Sequence, residues 1–134
     1  MNGGRAVMAF FNEVQTYLKE HAESDSLNEY LKPLGAALAQ LQQATMWFMN
    51  NAMAKPDNAG AGSTDYLHMF GLVALGYMHA RIAEAALAKG DGASNARLVT
   101  ARFFMQRMLP ETTTHLARIE AGADSVMELP AEAF

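Results

Sequence analysis

Cysteine is absent from the 134 residues. That excludes disulfides, thiolate catalysis and cysteine-ligated zinc, and it fits a reducing compartment. No run alternates apolar and polar residues with period two, so strands are not expected. A membrane-length apolar run is missing as well. The most apolar stretch, Tyr66 to Leu87, is preceded by Asp65 and interrupted by Arg81 and Glu84, whereas a span needs about 20 predominantly apolar residues. Charge of one sign is scarce: the net charge is -4, and Arg97, Arg102, Arg107 and Arg118 rotate to different helix faces. Without a basic stripe, nucleic acid is not an expected partner. The opening MNGGRAVMAFF lacks an apolar stretch followed by a small-residue cleavage site, and the expected location is the cytoplasm.

What is present is apolar residue content, 51% of the chain, recurring at helical spacing from end to end. At this length one domain, residues 1–134, buries roughly two thirds of its unfolded surface. The pattern predicts an all-α fold, an antiparallel four-helix bundle running up-down-up-down. A first helix, about 4 to 22, lines up Val7, Phe11, Val14 and Leu18. A second, about 27 to 54, carries Leu27, Leu31, Leu34, Leu38, Leu41, Thr45, Phe48 and Ala52 at steps of four and three, the seam of a bundle. Pro33 should kink it or mark its true start. The segment Lys55 to Ser63, KPDNAGAGS, reads as a loop, with Ser63 or Thr64 capping a third helix whose positive end Asp65 would suit. This third helix is apolar around its whole circumference between Met69 and Met78 and must be covered by other helices. It should close at Lys89-Gly90, and the short link Gly90 to Ala93 leaves room only for a tight reversal into an antiparallel fourth helix. That helix, about 94 to 121, aligns Leu98, Ala101, Met105, Met108, Thr112, Leu116 and Ile119, with a bend at Pro110. The acidic tail after Gly122 adds a short turn near Val126 to Leu129.

Catalytic and metal chemistry finds little support. A di-iron bundle needs Glu-x-x-His pairs, and none of Glu13, Glu20, Glu29, Glu84, Glu111 and Glu120 is followed three residues later by histidine. His68 and His79 stand three turns apart and cannot share an ion. Glu111 and His115 fall at i and i+4, a spacing that more often makes a surface pair than an acid-base couple, and no third group is seen to fix the imidazole. Arg81 and Glu84 are in the less favourable order for a pair. The ten methionines mostly fall on apolar stripes and read as core filler. Gly60-Ala61-Gly62 follows no strand and is not a phosphate loop. No catalytic, cofactor-binding or metal residue is therefore assigned. Three residues stand out as an interaction surface. With Phe104 on the inward arc, Phe103 points about 100° away toward water or a partner. Leu72 and Leu75 lie on the far side of the third helix, where Gly71, Ala74 and Gly76 would permit close approach, either in the core or between subunits.

Along the same stretch, Asp65-Tyr66-Leu67, Phe70-Gly71-Leu72-Val73-Ala74-Leu75-Gly76, Met78 and Ala80-Arg81 are followed by Thr100-Ala101-Arg102-Phe103-Phe104, Leu109-Pro110 and Ala121 to Met127. The pattern resembles the extra C-terminal helical domain of bacterial acyl-CoA dehydrogenases, in the branch similar to 3-methylmercaptopropionyl-CoA dehydrogenase. The likeness spans nearly the whole chain and is strongest in its second half, and Gly3-Gly4 resembles the entry into that domain. The resemblance implies a parent enzyme carrying out FAD-dependent α,β-dehydrogenation of an acyl-CoA thioester. It also implies that the flavin-binding and base-bearing segments lie upstream, so no cofactor or catalytic role is carried to any residue here. The expected partners are the flavin-binding core and further copies of the chain, in a packing and oligomerisation role. The alternative is a free-standing helical accessory, or a membrane-surface or lipid-handling interaction protein, the latter disfavoured by the lack of a basic amphipathic face.

Overall fold

The computed structural model describes residues 4–134, and among them no strand occurs. Residue Gly3, half of the Gly3-Gly4 resemblance, lies outside the described residues. The chain is all-helical: α1 (Arg5–Glu20), α2 (Asn28–Asn51), α3 (Pro56–Lys89), α4 (Gly92–Phe103), α5 (Thr112–Glu120) and a short α6 (Asp124–Met127). Between α4 and α5 lie a π turn (Phe104–Met108) and a 3-10 turn (Leu109–Glu111).

Side-chain contacts fix the directions. Thr45 meets Tyr66 and Asn51 meets Asn58, so α2 and α3 run antiparallel. His79 stacks on Phe104 and Asp65 meets His115, so α3 is antiparallel to α4 and α5. Tyr17 and His21 both reach Glu84 while Phe10 lies on Phe70, so α1 runs parallel to α3. The core threads between them: Phe11 and Val14 from α1, Leu34, Leu38 and Leu41 from α2, Met69, Val73 and Ala80 from α3, with Ala101, Phe104, Leu109 and Ile119 closing it. The seam expected on α2 is buried from Leu27 to Leu41 and half-buried at Thr45, Phe48 and Ala52.

Three sequence expectations need correction. The segment from Pro56 to Ser63 is not a loop but the first two turns of α3, so neither Ser63 nor Thr64 is its cap. Pro56 takes the first helical position, where its missing N–H costs nothing, and Asp57 complements the positive end. Gly62 is there for closeness rather than turning, since a Cβ on it would stand 2.7 Å from Phe48 Cζ. Asn58 ties this end down: its side chain donates to the Asn51 carbonyl at 3.2 Å and accepts from the Ala123 amide at 2.9 Å.

On α2, Pro33 does not mark the start, because the helix begins at Asn28. The early turn is held by burial of Leu27, Tyr30 and Leu31 and by the Glu29–Arg102 bridge, tertiary contacts that outweigh the one backbone bond proline removes. Near Pro110, the ring and its missing donor disturb the ladder. The chain responds with a π turn, in which the Leu109 amide reaches back to the Phe104 carbonyl, rather than a simple bend. The extra residue shifts the inward position by one within these turns, while Thr112, Leu116 and Ile119 beyond them stay buried as expected. Met108, expected inside, is therefore 44% exposed, and Leu109 is 2% exposed in its place.

The reversal between α3 and α4 is as the sequence indicates. Gly90 ends α3 at φ 69°, and Asp91 caps α4 by accepting from the Ser94 amide at 2.7 Å.

Candidate interaction surface and buried polar pairs

Helix α3 buries Met69, Val73, Gly76, Tyr77, Ala80 and Ala83 on one side. At 3.6 residues per turn the opposite side collects Leu67, Gly71, Leu75, Met78, Ile82 and Ala85. All six are exposed. A Cβ on Gly71 would meet nothing within 4 Å, whereas one on Gly76 would press on Leu34 and Leu109 at 3.3 and 3.4 Å. The two glycines thus separate: Gly76 serves core packing and Gly71 lies on the open face. Across the reversal, Phe104 is buried and its neighbour Phe103 is 57% exposed, as the 100° step requires. Of the three residues picked out in the sequence, Leu75 and Phe103 are exposed, while Leu72 is half-buried and packs against the core. The outer sides of α3 and α4 meet at a shallow groove lined by His79, Ile82, Ala96, Arg97 and Thr100. Burial pushes the His79 imidazole below its ordinary value, so at neutral pH this groove wall is uncharged at the histidine.

A second apolar groove lies between α2 and α3, lined by Thr45, Phe48, Met49, Ala52, Ala59, Ser63 and Tyr66. The exposed Met46, Met49 and Met53 belong to the same stretch of the chain, so these methionines are surface rather than core.

Polar side chains inside the fold pair across helices. His115 is buried, and its Nδ1–H donates to Asp65 Oδ1 at 2.7 Å. His68 stacks face to face on His115 with centroids 5.6 Å apart, and Arg118 comes within 3.6 Å of Asp65. The third group that the sequence did not reveal is thus Asp65, fifty residues away on α3, and not Glu111. Glu84 is likewise paired elsewhere than with Arg81. It accepts from the Tyr17 hydroxyl at 3.0 Å and from His21 Nε2 at 2.9 Å, while Arg81 lies over the Tyr77 ring. The Gln40 amide donates to Thr113 at 2.9 Å and its oxygen accepts from Thr112 at 2.6 Å. Each of these hydrogen bonds joins two elements of the fold and acts as a structural tie, with Tyr17, Thr112 and His115 the buried members. The antiparallel reversal at Gly90 carries the signal for Asp65 and His115, since it sets them opposite each other.

Among the described residues, no group of three or more His, Asp and Glu side chains is placed to hold a metal ion. No helix there is long and apolar enough to cross a membrane. Among curated proteins none matches the chain. A family model described as acetyl-CoA dehydrogenase C-terminal like matches residues 10–130. With nine tenths of the sequence inside that match, the chain belongs to the acetyl-CoA dehydrogenase C-terminal-like family.

Proposed function

We propose that this chain is the C-terminal helical domain of an FAD-dependent acyl-CoA dehydrogenase, in the branch similar to 3-methylmercaptopropionyl-CoA dehydrogenase. By itself it is non-catalytic. It packs against the flavin-binding core and assists assembly into oligomers in the cytoplasm, with α4, the two turns and α5 together acting as the fourth leg of a four-helix bundle. FAD, which supplies the dehydrogenation chemistry, belongs to the parent's core and not to any residue here.

The observation that carries this reading is the uncovered outer side of α3 and α4. Monomeric proteins seldom leave a contiguous apolar stripe in water without a use for it. Here Leu75, Met78 and Ile82 follow one another along α3, and family membership supplies the kind of protein such a face would contact.

Two measurements test the proposal. Light scattering over a range of concentrations should show self-association that Leu75→Glu with Phe103→Glu abolishes; a strict monomer at all concentrations overturns the assembly role. Titration with FAD should show no tight binding to this chain alone. Saturable binding of one flavin per chain would overturn the non-catalytic reading.

A further inference from the structure

Helix α1 is held at its C-terminal end by a cluster whose hydrogen bonds depend on one proton. The His21 ring is 4.3 Å from the Tyr17 ring, centroid to centroid, and both of its nitrogens are engaged. Nδ1 lies 2.9 Å from the Tyr17 backbone carbonyl and Nε2 lies 2.9 Å from Glu84 Oε1. A backbone carbonyl can only accept, and so can a carboxylate. Both bonds are therefore made at once only when both nitrogens carry hydrogen, that is, by the imidazolium. A neutral ring must give one of them up, and whichever nitrogen loses its proton then turns a lone pair toward oxygen.

We propose that His21 is a proton-operated clasp that ties the end of α1 to α3, closed in the imidazolium form and loosened when the ring is neutral. It stands apart from the reading of the outer face of α3 and α4.

The neighbours support the direction. From α1 come the Tyr17 hydroxyl, which also binds Glu84, and Glu20, whose charge favours the cation. From α3 come Glu84 itself and Arg81, whose charge helps keep Glu84 ionised. From α2, Lys32 lines the groove that His21 also lines, an opposing positive charge, while Glu23 and Asp25 lie in the connecting turn. The Tyr17 carbonyl raises the His21 value most. Partial burial works against it, and the Glu84 bond and charge, with Glu20, add to the rise. On Glu84, burial alone would raise the carboxyl, but the bonds from Tyr17 and His21 outweigh it and hold the group below its ordinary range. Because the folded value of His21 exceeds the unfolded 6.5, its contribution is fully present below 6.5 and fades as pH rises through the folded value. The clasp thus closes on the acid side and relaxes on the alkaline side. Loosening would act on the joint where α1 turns into α2, beside the buried rings of Tyr17 and Tyr77.

The test pairs two readouts on the full chain. The ring of His21 is titrated by NMR with labelled histidine, and amide exchange from Tyr17 to Ala22 is followed at matched pH in wild type and variants. By linkage, the ratio of the local opening constants well above and well below the transition equals the ratio of the open and closed acid dissociation constants. With the open state taken at the unfolded 6.5, the NMR titration therefore fixes the expected fold-change in exchange. In Glu84→Gln the new amide can donate to a neutral Nε2, so the clasp closes without the extra proton. Wild type and Glu84→Gln should then diverge as pH rises. Tyr17→Phe, which keeps the ring and the backbone carbonyl, should retain the pH dependence. The proposal is overturned if His21 titrates at an ordinary value in wild type. It is equally overturned if opening of the α1 end does not follow the titration, or if Glu84→Gln retains the full dependence.

Discussion

The segment Pro56 to Ser63 supplies the sharpest test of the packing, because two glycines two residues apart should respond to the same substitution with opposite signs. At Gly60 an added Cβ meets nothing within 4 Å. Gly60→Ala should therefore stabilise by about 0.5–1 kcal/mol, the usual gain on removing a glycine from a helix. At Gly62 the new carbon would stand 2.7 Å from Phe48 Cζ, 3.1 Å from its Cε1 and 3.5 Å from Ile119 Cγ1. The Phe48 ring cannot swing aside freely, since it sits edge-on between Trp47, at 5.5 Å, and Tyr66, at 5.3 Å. Overpacking of this kind costs about 1–3 kcal/mol, which exceeds the same propensity gain. Gly62→Ala should be about 1 kcal/mol less stable than wild type and about 2 kcal/mol less stable than Gly60→Ala. Urea unfolding followed by far-ultraviolet circular dichroism resolves such differences, as does a melting-temperature gap of roughly 4–10 °C. Equal stabilisation by the two alanines would refute the close contact between α2 and α3. If the clash is the cause, Phe48→Leu should remove most of the penalty in the double variant, although it carries its own cost from lost ring contacts.

Single ties between helices give further expectations. Ser63→Pro, harmless in a loop or at a helix cap, should cost about 3 kcal/mol because Ser63 lies inside α3; denaturant midpoints decide it. Asp65→Ala leaves the buried Nδ1 of His115 without its acceptor and should cost about 1–3 kcal/mol, measured the same way, whereas Glu111→Ala should be close to neutral. The Glu29 carboxyl is held below its ordinary value, first by its bond from Arg102 and against the effect of burial. The strap from α2 to α4 therefore contributes above pH 4.5, the unperturbed value, and is lost as pH falls through the lowered one. Arg102→Gln should flatten that acid limb in a series of melts spanning roughly pH 3 to 6, and an unchanged limb would mean the exposed bridge contributes nothing measurable.

Much of the fold is written in local spacing. Leu27 to Leu41 on α2, and the division of Phe103 from Phe104, follow from helical period alone, because burial on one side is a property each helix carries in its own residues. The stop at Gly90 is equally local, a left-handed cap that glycine adopts without strain. Other features depend on a distant residue. Gly60-Ala61-Gly62 has the composition of a linker, and only Phe48 on the facing helix turns Gly62 into a packing site. Pro110 signals a disturbance, but a kink and an inserted π residue look alike in sequence. Burial of Leu109 in place of Met108 distinguishes them. The methionines at 46, 49 and 53 lie in the apolar stretch around the end of α2, yet on a side that no other helix covers.

The buried pair Asp65–His115 shows where a site signal existed and why a local reading passed it over. Glu111, one turn before His115, is the obvious partner on sequence spacing, but a pair at i and i+4 shares a helix face with no constraint on burial. A tight reversal imposes a different neighbourhood. Residues at equal distances from Gly90 along the chain lie opposite each other on antiparallel helices, and Asp65 and His115 are so placed. Asn58 and Ala123, which share a hydrogen bond, nearly are, whereas His79 and Phe104, which stack, are out of step by most of a turn. Once Gly90 is accepted as the reversal, opposite groups can be paired by counting outward from it. Asp65 then faces the imidazole rather than ending a helix, and the polar pair becomes a tie between α3 and α5.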